Sequence, residues 1–307
     1  MSDTFEPENY FDNKYPYFSS DSDKFVDKYF PPDKNSIFNE DNINSSNKNT
    51  KDYENFKKLN EDIKNGNYVF KRLSELVNPK LTKNYKAINP YIHQRSVGDC
   101  LLISFLNALQ RVHKDKYLKL FGNCDPAMGY YEFYFYDERI TEFRKVFVDD
   151  FILVDSTFND PKFCKISGIR YGIFQLIEKA FAKLKGDYFT LCIEGGSIDY
   201  IKYLTGLDSI LISKYDINLS NWQNIQDLKS FIMNNLSEHN IIIFGAYENE
   251  LYNLNINGIH TYELLFLYKR NYDDIILIKN PHLYIGNSIE KCHFLQIIFK
   301  LKKIINH

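Results

Sequence analysis

The segment from His93 to Leu109 constrains this chain more than any other stretch. A Gly98-Asp99 pair interrupts the backbone, and Cys100 follows where a helix would begin. Apolar residues then recur at the spacing of a helix, namely Leu102, Ile103, Phe105, Leu106 and Leu109. This spacing predicts a largely buried helix that begins at Cys100 and ends near residue 114.

The position of Cys100 indicates a candidate nucleophile. Asp99 is a typical N-cap residue, and a cysteine in the first turn of a helix meets unpaired backbone N–H groups and the positive end of the helix dipole. Both effects favour the thiolate, which is the nucleophilic form of cysteine. Gln94 carries an amide that could donate to an oxyanion formed near the sulfur. Cysteines near helix starts also occur as packing residues, so this segment alone does not distinguish a nucleophile from a packing residue.

Composition and charge exclude several classes of protein. The chain has 307 residues and a formal net charge of -2, which does not favour nucleic-acid binding. Its five cysteines have no C-x-x-C spacing, so we predict reduced thiols, no metal site and no cofactor. No apolar run is long enough to span a bilayer, and no signal peptide is recognisable. We therefore expect a cytoplasmic protein without stable membrane insertion.

The order of the patterns predicts an α+β fold with two lobes and a cleft between them. Residues 1–65 are polar and are expected to form a largely mobile extension, whose aromatic residues pin it onto the folded domain, occupy the cleft as an inhibitor or bind a partner. Residues 66–207, the first lobe, are expected to be mainly helical. Residues 208–307, the second lobe, are expected to be mainly β.

Individual elements follow from periodicity and turn residues. Alternation over residues 130–155 predicts an antiparallel hairpin or meander. Helical spacing predicts further helices over residues 174–184, 197–204 and 222–236. Short apolar runs predict strands over residues 241–244, 263–268, 275–279 and 294–300.

A catalytic thiolate needs a base and a group that orients the base. His260 lies where a glycine-containing turn enters a predicted strand, and Asn280 ends the next strand. If these strands pair as a hairpin, the Asn280 amide oxygen accepts from one ring nitrogen of His260, and the other nitrogen faces Cys100. A single histidine at a strand start and an Asn-Pro turn are both common as structural features.

These segments together resemble the calpain-type cysteine proteases. The segment from Gln94 to Leu102 is similar to the family's Gln-x-x-x-Gly-Asp-Cys-Trp-Leu motif. The other similar segments, in the family's order, are Phe70-Lys71-Arg72 with Asn78-Pro79, Val148-Asp149-Asp150, Leu176 to Lys183, Gly195-Gly196 followed by Tyr200 to Gly206, Gly258 to Tyr262, and Lys279-Asn280-Pro281. The resemblance extends from about residue 68 to residue 280.

The resemblance implies a papain-like calpain core, with Cys100 on the helical lobe and His260 and Asn280 on the β-rich lobe. It implies that Cys100 is the nucleophile, His260 the general acid and base, and Asn280 the residue that orients it. Gln94 would join the Cys100 backbone N–H in the oxyanion hole. The pair Gly195 and Gly196, without side chains, would let a substrate backbone approach. The implied activity is peptide-bond hydrolysis in protein substrates.

Some positions depart from the family pattern. Leu101 and His282 stand where the family usually has tryptophan. The tryptophan replaced by His282 usually shields the Asn–His contact, so its loss would expose the Asn280–His260 contact to water and weaken it. Calpains are typically activated by calcium through acidic loops. Here a usually acidic position is Tyr91, and residues 283–288 lack the acidic loop. Glu178 alone does not form a calcium site, so we predict activity without calcium.

Three functions are compatible with these patterns. The first is an active calpain-like endopeptidase. The second is a catalytically weak or inactive calpain-like module that binds proteins through the same cleft. The third is another papain-like activity, such as a deamidase or transglutaminase, which uses the same Cys-His pair. The presence of Cys100, His260, Asn280 and Gln94 together favours the first.

Overall fold

The computed structural model describes residues 24–40, 43, 47–48, 50–76, 91–166, 172–209, 222–235, 240–246, 260–270, 273–281 and 289–293. The segments Asn78-Pro79 and Gly258-Ile259, residues 282–288 and the strand predicted over residues 294–300 lie outside these ranges. Within them, no helix combines the length and the apolar character needed to cross a bilayer.

Helices and strands alternate along the described chain. The helices are α1 (Lys34–Ile37), α2 (Lys51–Lys64), α3 (Leu73–Leu76), α4 (Cys100–Val112), α5 (Lys114–Lys119), α6 (Ile173–Lys185), α7 (Tyr188–Ile193), α8 (Asp199–Thr205) and α9 (Trp222–Asn235). The strands are β1 (Tyr68–Arg72), β2 (Ile92–His93), β3 (Phe121–Asp125), β4 (Tyr130–Asp137), β5 (Glu142–Asp149), β6 (Phe151–Asp155), β7 (Lys165–Ile166), β8 (Ile243–Ala246), β9 (His260–Arg270), β10 (Asp273–Lys279) and β11 (Ile289–His293). The α+β prediction is confirmed.

The described strands form four antiparallel sheets. The first lobe contains the pairs β1–β6 and β2–β7 and the three-stranded sheet β3-β4-β5. The second lobe contains one sheet in the order β11-β10-β9-β8. The β4–β5 hairpin confirms the prediction from alternation, with Tyr130 opposite Asp149 and Asp137 opposite Glu142. Each of these sheets lies entirely on one side of the predicted boundary between the lobes.

The core of the first lobe surrounds helices α4 and α6. Leu102, Leu106 and Leu109 of α4 are all buried, as the helical spacing predicted. Helix α6 ends at Gly186, whose φ of 107° favours glycine. Helices α6, α8 and α9 match the predicted helices within two residues at either end.

The prediction of a largely mobile extension over residues 1–65 is wrong for its described parts. Phe30, Ile37 and Phe38 are buried in the main core, and so are two residues of α2, Phe56 and Leu59. The polar composition concealed this packing, because a few widely spaced aromatic side chains supply the apolar contact. Residues 1–23 lie outside the described ranges.

Charged groups also fasten this segment to the first lobe. Asp27 is buried and accepts from Lys183 Nζ at 2.8 Å, and Lys183 also donates to the Phe147 carbonyl at 2.7 Å. The Asp27 backbone N–H donates to the Asp149 carboxylate at 2.8 Å. Residues 24–40 are therefore an integral layer of the lobe, and we refer to them as the N-terminal strap.

Candidate active site

Cys100 begins helix α4, as the sequence predicted, but Asp99 does not cap that helix with its side chain. Asp99 occupies the N-cap position and forms no side-chain capping hydrogen bond. Its carboxyl group is fully buried, and it faces the carboxyl group of Glu178 instead of the backbone N–H groups of its own helix. The helix therefore begins because the Gly98-Asp99 backbone turns there, while the Asp99 side chain points into the core.

The Cys100 thiol lies between the lobes, against the first residues of β9. Its Sγ is 3.3 Å from the hydroxyl oxygen of Thr261. Cys100 is nearly buried, and this burial raises the pKa of its thiol, an effect partly opposed by the Thr261 hydrogen bond and increased by the nearby Asp99 charge. The expectation that the helix N-terminus would lower this pKa is not met, because loss of hydration outweighs the helix dipole.

His260 and Asn280 meet as the hairpin prediction required. His260 is the first residue of β9, Asn280 follows the last residue of β10, and the two strands are antiparallel neighbours. His260 Nε2 lies 2.9 Å from Asn280 Oδ1, and both residues are buried. Because an amide oxygen only accepts, this contact assigns the ring proton to Nε2 and leaves Nδ1 as a proton acceptor.

Gln94 is buried close to the start of α4. Its Nε2 donates to the Val97 carbonyl at 2.7 Å, while its Oε1 has no partner in the described structure. A primary amide has two N–H donors, so one remains after the Val97 contact. The Gln94 backbone N–H donates to the Pro281 carbonyl at 2.9 Å, which ties this loop to the residue after Asn280.

Gly195 and Gly196 follow helix α7 and have different surroundings. A Cβ at Gly195 would lie 1.6 Å from the carbonyl oxygen of Gly98, whereas a Cβ at Gly196 would meet nothing within 4 Å. Gly195 is thus required by an internal backbone contact with the loop before Cys100. Cys192 of α7 reinforces this contact, since its Sγ accepts from the Gly98 N–H at 3.1 Å. Gly196 thus borders open space.

Two buried carboxyl groups, those of Asp99 and Glu178, face each other beneath α4. Glu178 on α6 accepts from the Cys164 backbone N–H at 3.2 and 3.1 Å, and burial raises its pKa to about 7. Burial and then the Glu178 charge also raise the pKa of Asp99 well above its usual value. Two carboxylates are both acceptors, so they hydrogen bond only while one retains a proton.

This pair predicts a stability that depends on pH. In the unfolded chain a glutamate loses its proton near pH 4.5, so the folded state holds an extra proton between about pH 4.5 and 7. The stabilisation by the shared proton is complete below that window and is lost as pH rises through it. We expect Glu178→Gln, whose amide donates to Asp99 at any pH, to reduce this loss by about 2 kcal/mol.

Urea unfolding of the wild type and of Glu178→Gln at pH 5, 6, 7 and 8 measures this effect. Glu61→Gln, on the exposed side of α2, is the matched control and should follow the wild type. Equal dependence on pH in wild type and Glu178→Gln would show that the carboxyl pair holds no proton.

Further contacts join the lobes around the site. Tyr91 donates its hydroxyl hydrogen to the Asn280 carbonyl at 3.0 Å, and Lys279 Nζ lies 3.6 Å from the centre of the Tyr91 ring. Arg111 on α4 pairs with the buried Glu263 on β9 at 2.7 Å. These contacts bind the segment around Asn280 to the lobe that carries Cys100.

Sequence reasoning missed Thr261 as a contact of the thiol and Tyr91 as a contact of Asn280. The sequence offers one indication of the Thr261 contact, since a hydroxyl-bearing residue directly follows the predicted base. It offers none of the Tyr91 contact, because Tyr91 enters the sequence argument only as a position without a carboxylate. Within the described ranges, no group of three or more His, Cys, Asp or Glu side chains is arranged to hold a metal ion.

Comparison with known proteins gives one clear result. The family model described as calpain family cysteine protease matches residues 25–284, which includes residues 25–40 of the N-terminal strap and every candidate site residue. A search of curated protein sequences finds no match.

Proposed function

The chain belongs to the calpain family of cysteine proteases, and we propose that it is an endopeptidase that hydrolyses protein substrates by a Cys-His-Asn mechanism without calcium. One observation carries the proposal: His260 is held by Asn280 at 2.9 Å directly beside the residue that contacts the Cys100 sulfur. A thiol nucleophile requires a base and a group that orients the base, and Asn280 meets the second requirement for His260.

The residues divide the reaction between them. His260 Nδ1 removes the thiol proton as Cys100 Sγ attacks the peptide carbonyl carbon, and the other ring proton stays on Nε2, hydrogen-bonded to Asn280 Oδ1. The second amide hydrogen of Gln94 and the backbone N–H of Cys100 stabilise the oxyanion. The imidazolium then protonates the leaving amine, which leaves an acyl-enzyme thioester. Water, deprotonated by His260, attacks the thioester carbonyl and releases the acid and the thiol.

Independence from calcium is supported by the contacts already formed between the lobes. Tyr91 and Gln94 bind the Asn280 and Pro281 backbone, and Arg111 neutralises Glu263. Such contacts can align Cys100 with His260 without a bound cation. A side chain at position 91 that joins the lobes directly is consistent with the absence of an acidic residue there.

Loss of the Tyr91 hydroxyl should therefore weaken catalysis. We expect Tyr91→Phe, which keeps the ring under Lys279, to lower kcat three- to tenfold at unchanged KM, since one buried hydrogen bond is worth about 1 kcal/mol. The loss should disappear in an Asn280→Ala background, because the hydroxyl acts through Asn280. Steady-state kinetics of the four proteins measure it, and an equal loss in both backgrounds would contradict this role.

Location and partners follow from the same chemistry. We propose a reducing, cytoplasmic setting, which is supported by free thiols at Cys100, Cys124, Cys164 and Cys192. We propose protein substrates and no nucleic acid. We propose that residues 1–23 carry the inhibitory or partner-binding role, since residues of the N-terminal strap and of α2 pack in the core.

A catalytically weak binding module is the second candidate. The observation that favours it is the burial of Cys100, which raises the pKa of the nucleophile. In an active enzyme, substrate binding or removal of the thiol proton by His260 has to offset this raised pKa. Reactivity of Cys100 therefore distinguishes the two functions.

Labelling by an epoxide inhibitor of thiol proteases tests the proposal. Wild type, Cys100→Ala and His260→Ala are incubated with the inhibitor in calcium and in chelator, and the adduct is read by intact mass. We expect one adduct at Cys100 that requires His260 and is formed equally under both conditions. Labelling only with calcium would overturn calcium independence. A folded protein that resists labelling in both conditions would favour the binding module.

A further inference from the structure

The Thr261 hydroxyl is positioned against the reacting sulfur. Its Oγ1 lies 3.3 Å from Cys100 Sγ, and both residues are almost completely buried. A second contact holds the same threonine, because Ser104 Oγ donates to the Thr261 carbonyl at 3.2 Å. Cys100 and Ser104 are four residues apart on α4 and share one helix face. Thr261 is therefore fastened to the face of α4 that carries the nucleophile.

The backbone around Thr261 restricts its movement further. Thr261 lies on β9, opposite Gly245 of β8, and directly follows His260. A β-branched residue in a strand has few χ1 rotamers, so the hydroxyl has a defined direction. His260, the proposed base, and Thr261, which contacts the sulfur, are thus consecutive residues of one strand.

A hydroxyl at this position interacts differently with the two forms of the nucleophile. With the thiol, Sγ–H donates a weak hydrogen bond to Oγ1. With the thiolate, Oγ1–H donates to a full negative charge, and such a bond is about twice as strong. The contact therefore favours the thiolate and opposes the effect of burial on the pKa of Cys100.

We propose that Thr261 is a further catalytic residue, whose hydroxyl directs the Cys100 sulfur and donates to its thiolate as the His260 imidazole takes the proton. The proposal rests on the proposed function of Cys100 and His260. No bond is formed or broken at Thr261: the thiol proton passes to His260 Nδ1, and the hydroxyl hydrogen stays on Oγ1 while it reorients towards the sulfur. A threonine that served packing alone would be replaceable by its isostere, valine.

The test compares hydroxyl-bearing and hydroxyl-free side chains at this position. The full-length wild type, Thr261→Ser and Thr261→Val are treated with iodoacetamide between pH 5 and 10, and alkylation of the Cys100 peptide is followed by mass spectrometry. We expect Thr261→Val to shift the midpoint of the pH–rate curve upward by about one unit, hence about tenfold slower alkylation below the midpoint. Thr261→Ser should follow the wild type.

Controls keep the result specific to the sulfur contact. Thr205→Val makes the same substitution at a hydroxyl that bonds to the Ile201 carbonyl within α8, and it should leave the curve unchanged. If Thr261→Val does not fold, Thr261→Ala also removes the hydroxyl and decides the question. A pH–rate curve of folded Thr261→Val or Thr261→Ala identical to the wild type overturns the proposal, and so does a wild-type Cys100 that is not alkylated at any pH.

This outcome is separate from that of the proposed function. Alkylation reports the state of the thiol and needs no peptide substrate, whereas epoxide labelling dependent on His260 reports the assembled catalytic pair. A curve that depends on Thr261 without epoxide labelling would support the contact and reject the protease. Epoxide labelling with a curve that ignores Thr261 would support the protease and reject the catalytic role of Thr261.

Discussion

Gly195→Ala is expected to slow peptide hydrolysis about 100-fold and to destabilise the protein. The added Cβ would lie 1.6 Å from the Gly98 carbonyl oxygen and 2.6 Å from its carbonyl carbon. Both are backbone atoms, which cannot turn aside as the end of a side chain can. The loop before Cys100 would have to move by about 1 Å or more, and displacements of that size cost about 100-fold in rate.

We expect this substitution to lower the free energy of unfolding by about 3 kcal/mol, the upper end for overpacking. Gly196→Ala is the matched control for stability, because its Cβ would meet nothing within 4 Å, and we expect a change below about 0.5 kcal/mol. Urea unfolding and a peptidase assay measure both effects. Near-normal stability of Gly195→Ala would mean that the two loops are not in contact.

Lys183→Met is expected to have the second large effect, on folding. Lys183 on α6 is buried and joins Asp27 of the N-terminal strap at 2.8 Å. Methionine preserves much of the volume but leaves the Asp27 carboxylate without its cation in the interior. Breaking a buried ion pair from one side costs about 3–5 kcal/mol, so we expect a loss in that range and detachment of the N-terminal strap.

Lys165→Met provides the matched control, since it removes a lysine from a partly exposed pair. Lys165 lies 3.0 Å from Asp160, which retains its pair with Arg95, so we expect less than about 1 kcal/mol. Chemical unfolding gives the free energies, and limited proteolysis near residue 24 reports release of the N-terminal strap. A loss of free energy of unfolding in Lys183→Met as small as that in Lys165→Met would show that the N-terminal strap contributes little to the fold.

Local patterns were sufficient for most of the elements near the site. The spacing of apolar residues after Cys100 predicts α4, and alternation with turn residues predicts β4, β5, β9 and β10. Pairing of β9 with β10 follows from their proximity along the chain, and it brings His260 to Asn280. The strand β11 was not predicted.

The polar composition of the N-terminal segment led to a wrong prediction, because only a few of its residues provide its packing. Residues 24–65 are polar on average, yet Phe38 forms edge-to-face contacts with Tyr53 and Phe189 that join the segment to α7. The average composition of such a segment reflects its many exposed residues and does not show the few that are buried. The prediction that Asp99 caps the helix with its side chain was also wrong, because that side chain faces a second carboxyl group and not its own helix.

The sequence by itself determined the family, the helix of Cys100 and the meeting of His260 with Asn280, because each depends on a motif or on residues in neighbouring elements. The tertiary structure alone decided what surrounds the sulfur. Thr261 is 161 residues from Cys100, and Asp27 is 156 residues from Lys183. Contacts of this separation depend on how whole elements dock, and docking is set by the summed packing of many side chains.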